Sequence, residues 1–235
     1  MTHYYRDGVL SKPGVTSIIA DCHDKSGPLT QWAANMVVEW IKLNCVCKIS
    51  SDDSMWYISE SELNDARFHF KDISKEALDV GSEVHHSIET WLKTKKEPKD
   101  PCPEVLNGFV AFLEFYDSHK MKPLELEFSV LGDYWGGTLD YYGWFDDKLY
   151  VIDFKTSKDH RPKEHGPQIA AYRSRVNARV DGCGILRLDK TTGISDFKDY
   201  SRRYHKDLEH FLLMVPLYMH RHPKIAKNAG WIQPF

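Results

Sequence analysis

The segment Val151-Ile-Asp-Phe-Lys155 places a carboxylate and an ammonium two residues apart at the end of an apolar run. Successive side chains on a strand point to opposite faces, so Asp153 and Lys155 share one face and Ile152 and Phe154 enter the other layer. Asp140 closes the preceding segment, Gly137-Thr-Leu-Asp140, and Glu127 lies in the segment before that. If the three segments are strands of one sheet, three carboxylates and a lysine converge on one patch. That donor set suits a hard cation such as Mg²⁺, which takes a few carboxylates and keeps some water. A bare Asp-x-Lys is more often a solvated surface pair. Here an apolar run leads into Asp153, and Gly136-Gly137 stands where a bulge or a close backbone approach would shape the site.

Two other features belong to the same order of residues. Gln168 and Tyr172 are four apart and share a face if their segment is helical. His85 stands mid-helix in Gly81-Ser-Glu-Val-His85, with Glu89 one turn on. Taken singly these are ordinary: Tyr172 a core ring, Gln168 a surface amide, His85 a satisfied core histidine.

The elements that would position these groups follow from periodicity. Residues 1–20 read as extended, with turns at Asp7-Gly8 and Pro13-Gly14. Trp32, Met36, Trp40 and Leu43 recur at helical spacing after Pro28, predicting a helix over 28–44. Residues 50–58 are expected as loop, 60–70 as a short helix and 74–92 as a second, stronger one. A charged linker then leads to a helix over 103–120. Strands are expected at 124–131, 138–145 and 149–155, the last two joined at Asp146-Asp147 as a hairpin. A helix over 167–180, a strand over 183–189 and a helix over 201–220 follow, with Pro216 expected to kink or interrupt the last. The final dozen residues read as a tail. This order predicts an α/β (α+β) core with a mixed sheet flanked by helices. The expected division is an N-terminal addition over 1–73, a core over 74–198 and a C-terminal helix and tail over 199–235, packed as one unit.

In this order, Gly81-Ser-Glu-Val-His85, Glu127-Phe-Ser-Val, Gly137-Thr-Leu-Asp140, Val151-Ile-Asp-Phe-Lys-Thr-Ser157 and Gln168-Ile-Ala-Ala-Tyr172 resemble the motifs of the PD-(D/E)xK nuclease superfamily, in its RecB-like exonuclease branch. That branch includes phage exonucleases and the mitochondrial genome maintenance exonuclease. Tyr4-Tyr-Arg-Asp-Gly8 and Gly14-Val-Thr-Ser17 resemble the opening of phage members more weakly. The resemblance spans Gly81 to Tyr172. It implies a restriction-endonuclease-like core and Mg²⁺- or Mn²⁺-dependent hydrolysis of DNA phosphodiester bonds, from strand ends, in phage-type recombination, repair or replication. It implies His85, Asp140, Asp153 and the Phe154 backbone carbonyl as metal ligands, with Glu127 at a second metal or its water. Lys155, read as an exposed lysine, would orient the attacking water and stabilise the phosphate. Gln168 and Tyr172 would support the site and touch the DNA backbone. A structure-specific endonuclease and an inactive DNA-binding module are the alternatives.

Composition narrows this further. The chain has 235 residues, 34 acidic against 31 basic, which excludes a generic basic DNA-coating protein. No apolar run is long enough for a membrane span, and the polar opening lacks a signal-peptide core, so a cytoplasmic location is expected. Cys45-Val-Cys47 lacks the spacing of a zinc knuckle. Iron–sulfur members of the branch carry three cysteines after the Gln-Tyr helix, but here only Cys183 follows Tyr172; no cluster is expected. The bases immediately after the catalytic strand, Lys158, Arg161, Lys163 and Arg173, are the expected DNA contacts beside the loop over 157–167. Oligomeric state is left open.

Overall fold

A computed structural model describes residues 4–23, 25–49, 54–176 and 179–231. Two compact units divide the chain, one of residues 1–23 with 81–235 and the other of residues 24–80.

The larger unit opens with the antiparallel hairpin β1 (Tyr4–Asp7) and β2 (Leu10–Pro13), followed by α1 (Val15–Cys22). Residues 15–22 are therefore helical rather than extended. They lie in a segment too short for helical periodicity to show, and their stability comes from packing Val15, Ile18 and Ile19 into the core. The smaller unit holds α2 (Ser26–Asn44) and a hairpin of β3 (Val46–Ile49) with β4 (Ser54–Tyr57), where loop was expected over 54–57; residues 50–53 lie outside the described set. The expected helices over 60–70 and 74–92 are one helix, α3 (Glu60–Thr94), within which the division of units falls. Ser59 starts it with a capping box: its hydroxyl accepts the Glu62 N–H while Glu62 reaches back to the Ser59 N–H. No Pro or Gly stands between 60 and 80 to divide it.

α4 (Pro103–Ser118) begins with Pro at its first turn, where the missing N–H costs nothing. The central sheet follows. β5 (Met121–Leu131), β6 (Gly136–Phe145), β7 (Lys148–Lys155), β8 (Gly182–Leu188) and β9 (Ser195–Asp199) lie in that order, antiparallel except for the parallel β7–β8 pair. Asp146 and Asp147 both have positive φ, as the tight hairpin turn between β6 and β7 requires. β9 was not foreseen; its five residues are mostly polar and edge the sheet, leaving no apolar alternation to read.

α5 (Pro162–Arg173) carries the chain from β7 to β8. It starts five residues before, and ends seven before, the helix expected over 167–180. The reason is packing: His165 through Tyr172 are all buried, so no polar face marks its bounds. Pro167 sits inside α5 and cannot bond the Lys163 carbonyl. The His23 Nε2, at the end of α1, lies 3.1 Å from that carbonyl instead. A short turn (Ser201–Arg203) leads to α6 (Tyr204–Arg221), which runs uninterrupted through Pro216 because Pro216 and Leu212, whose carbonyl it frees, both face solvent. α7 (Pro223–Asn228) occupies part of the expected tail.

The sheet is thus flanked by helices. Phe154 packs on Phe112 of α4, whereas Val151 joins Ile169, Phe211 and Ile18 from α5, α6 and α1. Residues 4–23 pack with this core, and no helix among the described residues is long and apolar enough to cross a membrane.

Candidate metal centre

Strand register builds the site. Tyr141 pairs with Ile152 across β6–β7, and Leu126 and Phe128 pair with Tyr141 and Leu139 across β5–β6. Glu127 falls between the two β5–β6 pairs, across from Asp140. The β6–β7 ladder ends at Tyr141–Ile152, one residue short of Asp140 and Asp153, where the Asp140 side chain takes the Phe154 N–H. Directly opposed residues share a face, so Glu127 and Asp140 crowd together. α3 brings His85 to the same place: its Nδ1 lies 3.3 Å from Asp140 Oδ1, and its ring packs edge-on against Phe154.

The site divides into two clusters. In the first, ligand atoms of His85, Glu127 and Asp140 all lie within 4.8 Å of one another. Asp140 Oδ2 also accepts the Phe154 N–H at 2.5 Å. In the second, Lys155 Nζ lies 2.5 Å from Asp153 Oδ2, and Gln168 Nε2 donates to Asp153 Oδ1 at 2.9 Å. Gln168 also meets the Tyr172 hydroxyl at 3.2 Å. Asp153 is therefore directed to Lys155 and Gln168, outside the three-residue ligand group. Lys155 is not an exposed lysine: three-quarters of its side chain is buried beside the carboxylate. Its stem is enclosed because β7 is a central strand.

These arrangements set the charges. Burial works against ionised Asp140, yet the His85 ring, Lys155 and the Phe154 N–H hold its carboxyl below the usual range. Burial pushes the Asp153 carboxyl up to about 6, with repulsion from Asp140 adding to the effect and Lys155 opposing it. Loss of hydration and the nearby Asp140 raise Glu127 to about 7, although part of its side chain is open to solvent. Burial opposes charge on Lys155, but Asp153 and Asp140 outweigh it and keep the ammonium protonated. His85 follows the same pattern, drawn down by burial and raised overall by Asp140.

Glu127 adopts φ +48°, in the left-handed region unusual for a non-glycine residue in a strand. Gly136 and Gly137 have no Cβ because two rings lie against them: one at Gly136 would strike Tyr5, and one at Gly137 would strike Tyr172. Tyr5, from the weakly matching Tyr4–Gly8 opening, stands 131 positions before Gly136, and its hydroxyl is 3.4 Å from Thr138 Oγ1. Nothing in the sequence places it against the glycine pair.

Glu89, one turn after His85, pairs with Lys93 at 2.5 Å, and its charge adds to the upward push on Glu127. Arg161 lines a cleft beside Lys155 and Gln168 together with residues of α1. Lys158 and Lys163 are exposed near it. Arg173 is turned elsewhere: it donates to the Val180 carbonyl at 2.8 Å and stacks on Tyr204, fastening α5 to the elements behind it. His85, Glu127 and Asp140, one imidazole and two carboxylates, form a group that could hold a metal ion.

No protein-family model matches this chain, and no curated protein matches it.

Proposed function

We propose that this chain is a Mg²⁺- or Mn²⁺-dependent deoxyribonuclease on a restriction-endonuclease-like core, hydrolysing phosphodiester bonds from DNA ends. The observation that carries the reading is the group of His85, Glu127 and Asp140, whose ligand atoms lie within 4.8 Å of one another, beside the buried Asp153–Lys155 pair. His85, Glu127 and Asp140 would hold the cation, with Asp153 beside them. When bound, the cation supplies Lewis-acid stabilisation of charge on the scissile phosphate.

The chain's own groups have separable tasks. Lys155 brings a permanent positive charge to the edge of the carboxylate cluster, where it can bind a phosphate oxygen and orient the attacking water. Asp153 positions that ammonium, and Gln168 positions Asp153. Tyr172, seated on Gly137, fixes Gln168 in turn. His85 and the Phe154 N–H hold Asp140 ionised, ready to coordinate.

The test uses end-labelled linear DNA and covalently closed circles, each with Mg²⁺, Mn²⁺ or EDTA. Cation-dependent release of label from linear DNA alone is expected, and Lys155→Ala should abolish it. Cleavage of circles would replace the exonuclease reading with an endonuclease at the same site. Binding without cleavage of any substrate would leave only a DNA-binding module.

A further inference from the structure

α6 is apolar on all sides across its middle. Phe211-Leu-Leu-Met-Val-Pro-Leu-Tyr-Met219 contains no charged residue. A helix of that kind is ordinarily covered all round. The fold covers only one side, where Phe211, Met214, Val215, Tyr218 and Met219 join the core. Leu212, Leu213, Pro216 and Leu217 face outward, and among the described residues nothing covers them: the three leucines are 47%, 67% and 43% exposed. A lone exposed leucine is ordinary, but these four side chains fall within two turns and form one patch.

The patch is also its own complement. Leu212 and Leu217 lie equally far before and after the midpoint between Met214 and Val215, as do Leu213 and Pro216. Glu209 and His220, both exposed, flank the patch at equal distances, about 8 Å along the axis on either side. At 3.6 residues per turn, Glu209, Leu213, Pro216 and His220 fall in one stripe. Two copies of α6 laid antiparallel about a two-fold axis through that midpoint would stack one patch on the other. The Glu209 carboxylate would then stand opposite the imidazole of His220 of the partner subunit, at both ends of the contact. An isologous contact requires such self-complementarity, because one surface serves as both halves. An apolar centre with polar ends has the core and rim of a protein interface, and the patch offers no cation to a nucleic-acid backbone. We propose that the chain forms a two-fold dimer through the outer face of α6, a second copy supplying the missing cover. α6 has 18 residues and is about 27 Å long, so one helix pair buries less than the ~800 Å² per partner of a standard interface. The dimer is therefore expected to be weak, with a dissociation constant on the order of 10 μM.

Sedimentation equilibrium on the full chain, from about 1 to 200 μM, reads that constant directly. A monomer–dimer equilibrium is expected, with no larger species. Leu213→Asp should raise the dissociation constant at least ~tenfold, since each copy brings its own buried carboxylate to the contact. Glu209→Lys should raise it by about two- to tenfold through its two end pairs, and adding His220→Glu should restore it. All these positions are exposed, so the melting curves of dilute samples should coincide with that of the wild type. If Leu213→Asp melts early, the charge exchange decides. A chain that stays monomeric at every concentration overturns the proposal and leaves the face to a different protein. So does a dimer that survives Leu213→Asp in a folded variant, which would place the contact elsewhere. A double variant no tighter than Glu209→Lys alone, or growth beyond the dimer, overturns the two-fold antiparallel pairing.

Discussion

Asp140 and Asp153 stand opposite one another on neighbouring strands, yet the protein treats them differently. Asp140 is surrounded by an imidazole, a backbone N–H and an open-sided glutamate, and its carboxyl is held low. Asp153 is enclosed by a lysine and an amide, and its carboxyl is pushed up to about 6. Two identical groups on neighbouring strands have acquired different partners, an imidazole and a backbone N–H for one, a lysine and an amide for the other. The distinction arises from second neighbours, because the helices differ on the two sides: α3 delivers His85 to one carboxylate and α5 delivers Gln168 to the other.

The sharpest way to break this division is to remove the lysine. Lys155→Ala should lower cleavage by at least ~10²–10³-fold, the scale of one lost electrostatic contact at a reacting group. Its melting temperature should change little, since Asp153 can take up a proton when its partner is gone. Wild-type rates in the variant would remove Lys155 from the reaction. A second comparison separates the carboxylates themselves. Calorimetric Mn²⁺ binding should fall by more than ~100-fold in Asp140→Asn and by at most about 10–100-fold in Asp153→Asn, the scale of a supporting group. Equal losses would place both carboxylates on the cation.

This division was only half legible in the sequence. Alternation along Val151–Lys155 put Asp153 and Lys155 on one face, and the Asp-Asp turn fixed the hairpin that brings Asp140 alongside. Those are local rules. The pairing of Asp153 with Lys155 and Gln168, in place of the ligand group, depends on where α5 lies, and a helix buried all round carries no periodicity by which to place it. Tyr5 and the α1 wall of the cleft come from the far end of the chain and meet the site only through the fold. Arg173 shows what charge density along a sequence leaves out: its guanidinium donates to the Val180 carbonyl and lies over Tyr204, partners that only the fold brings near.

Proton competition sharpens the comparison next. Glu127 has a carboxyl raised to about 7, so it binds a proton more tightly than an ordinary glutamate does. A cation must displace that proton below pH 7 and need not above it. Mn²⁺ affinity should therefore climb as pH rises from about 6 to 8, by up to tenfold per unit where one proton is released. In Glu127→Gln that proton cannot compete, and the rise should become shallower over that window, leaving the part that comes from the His85 proton. A pH profile in Glu127→Gln identical to that of the wild type would show that Glu127 is not a ligand.

The smallest expected effect concerns the backbone at the same position. Glu127 holds φ +48° in a strand, a conformation that costs an L-residue about 1–2 kcal/mol. Glycine escapes that cost and gives back roughly 0.5–1 kcal/mol as greater freedom of the unfolded chain. Glu127→Gly should thus be more stable than Glu127→Gln by about 0.5–1 kcal/mol, since both lack the carboxylate and only one retains the strain. For a chain of this length that is a rise of roughly 1–4 °C in melting temperature. The pair isolates geometry from charge: both variants should bind Mn²⁺ equally weakly while melting apart. If Glu127→Gly melts at or below Glu127→Gln, the left-handed turn of the strand stores no strain at this carboxylate.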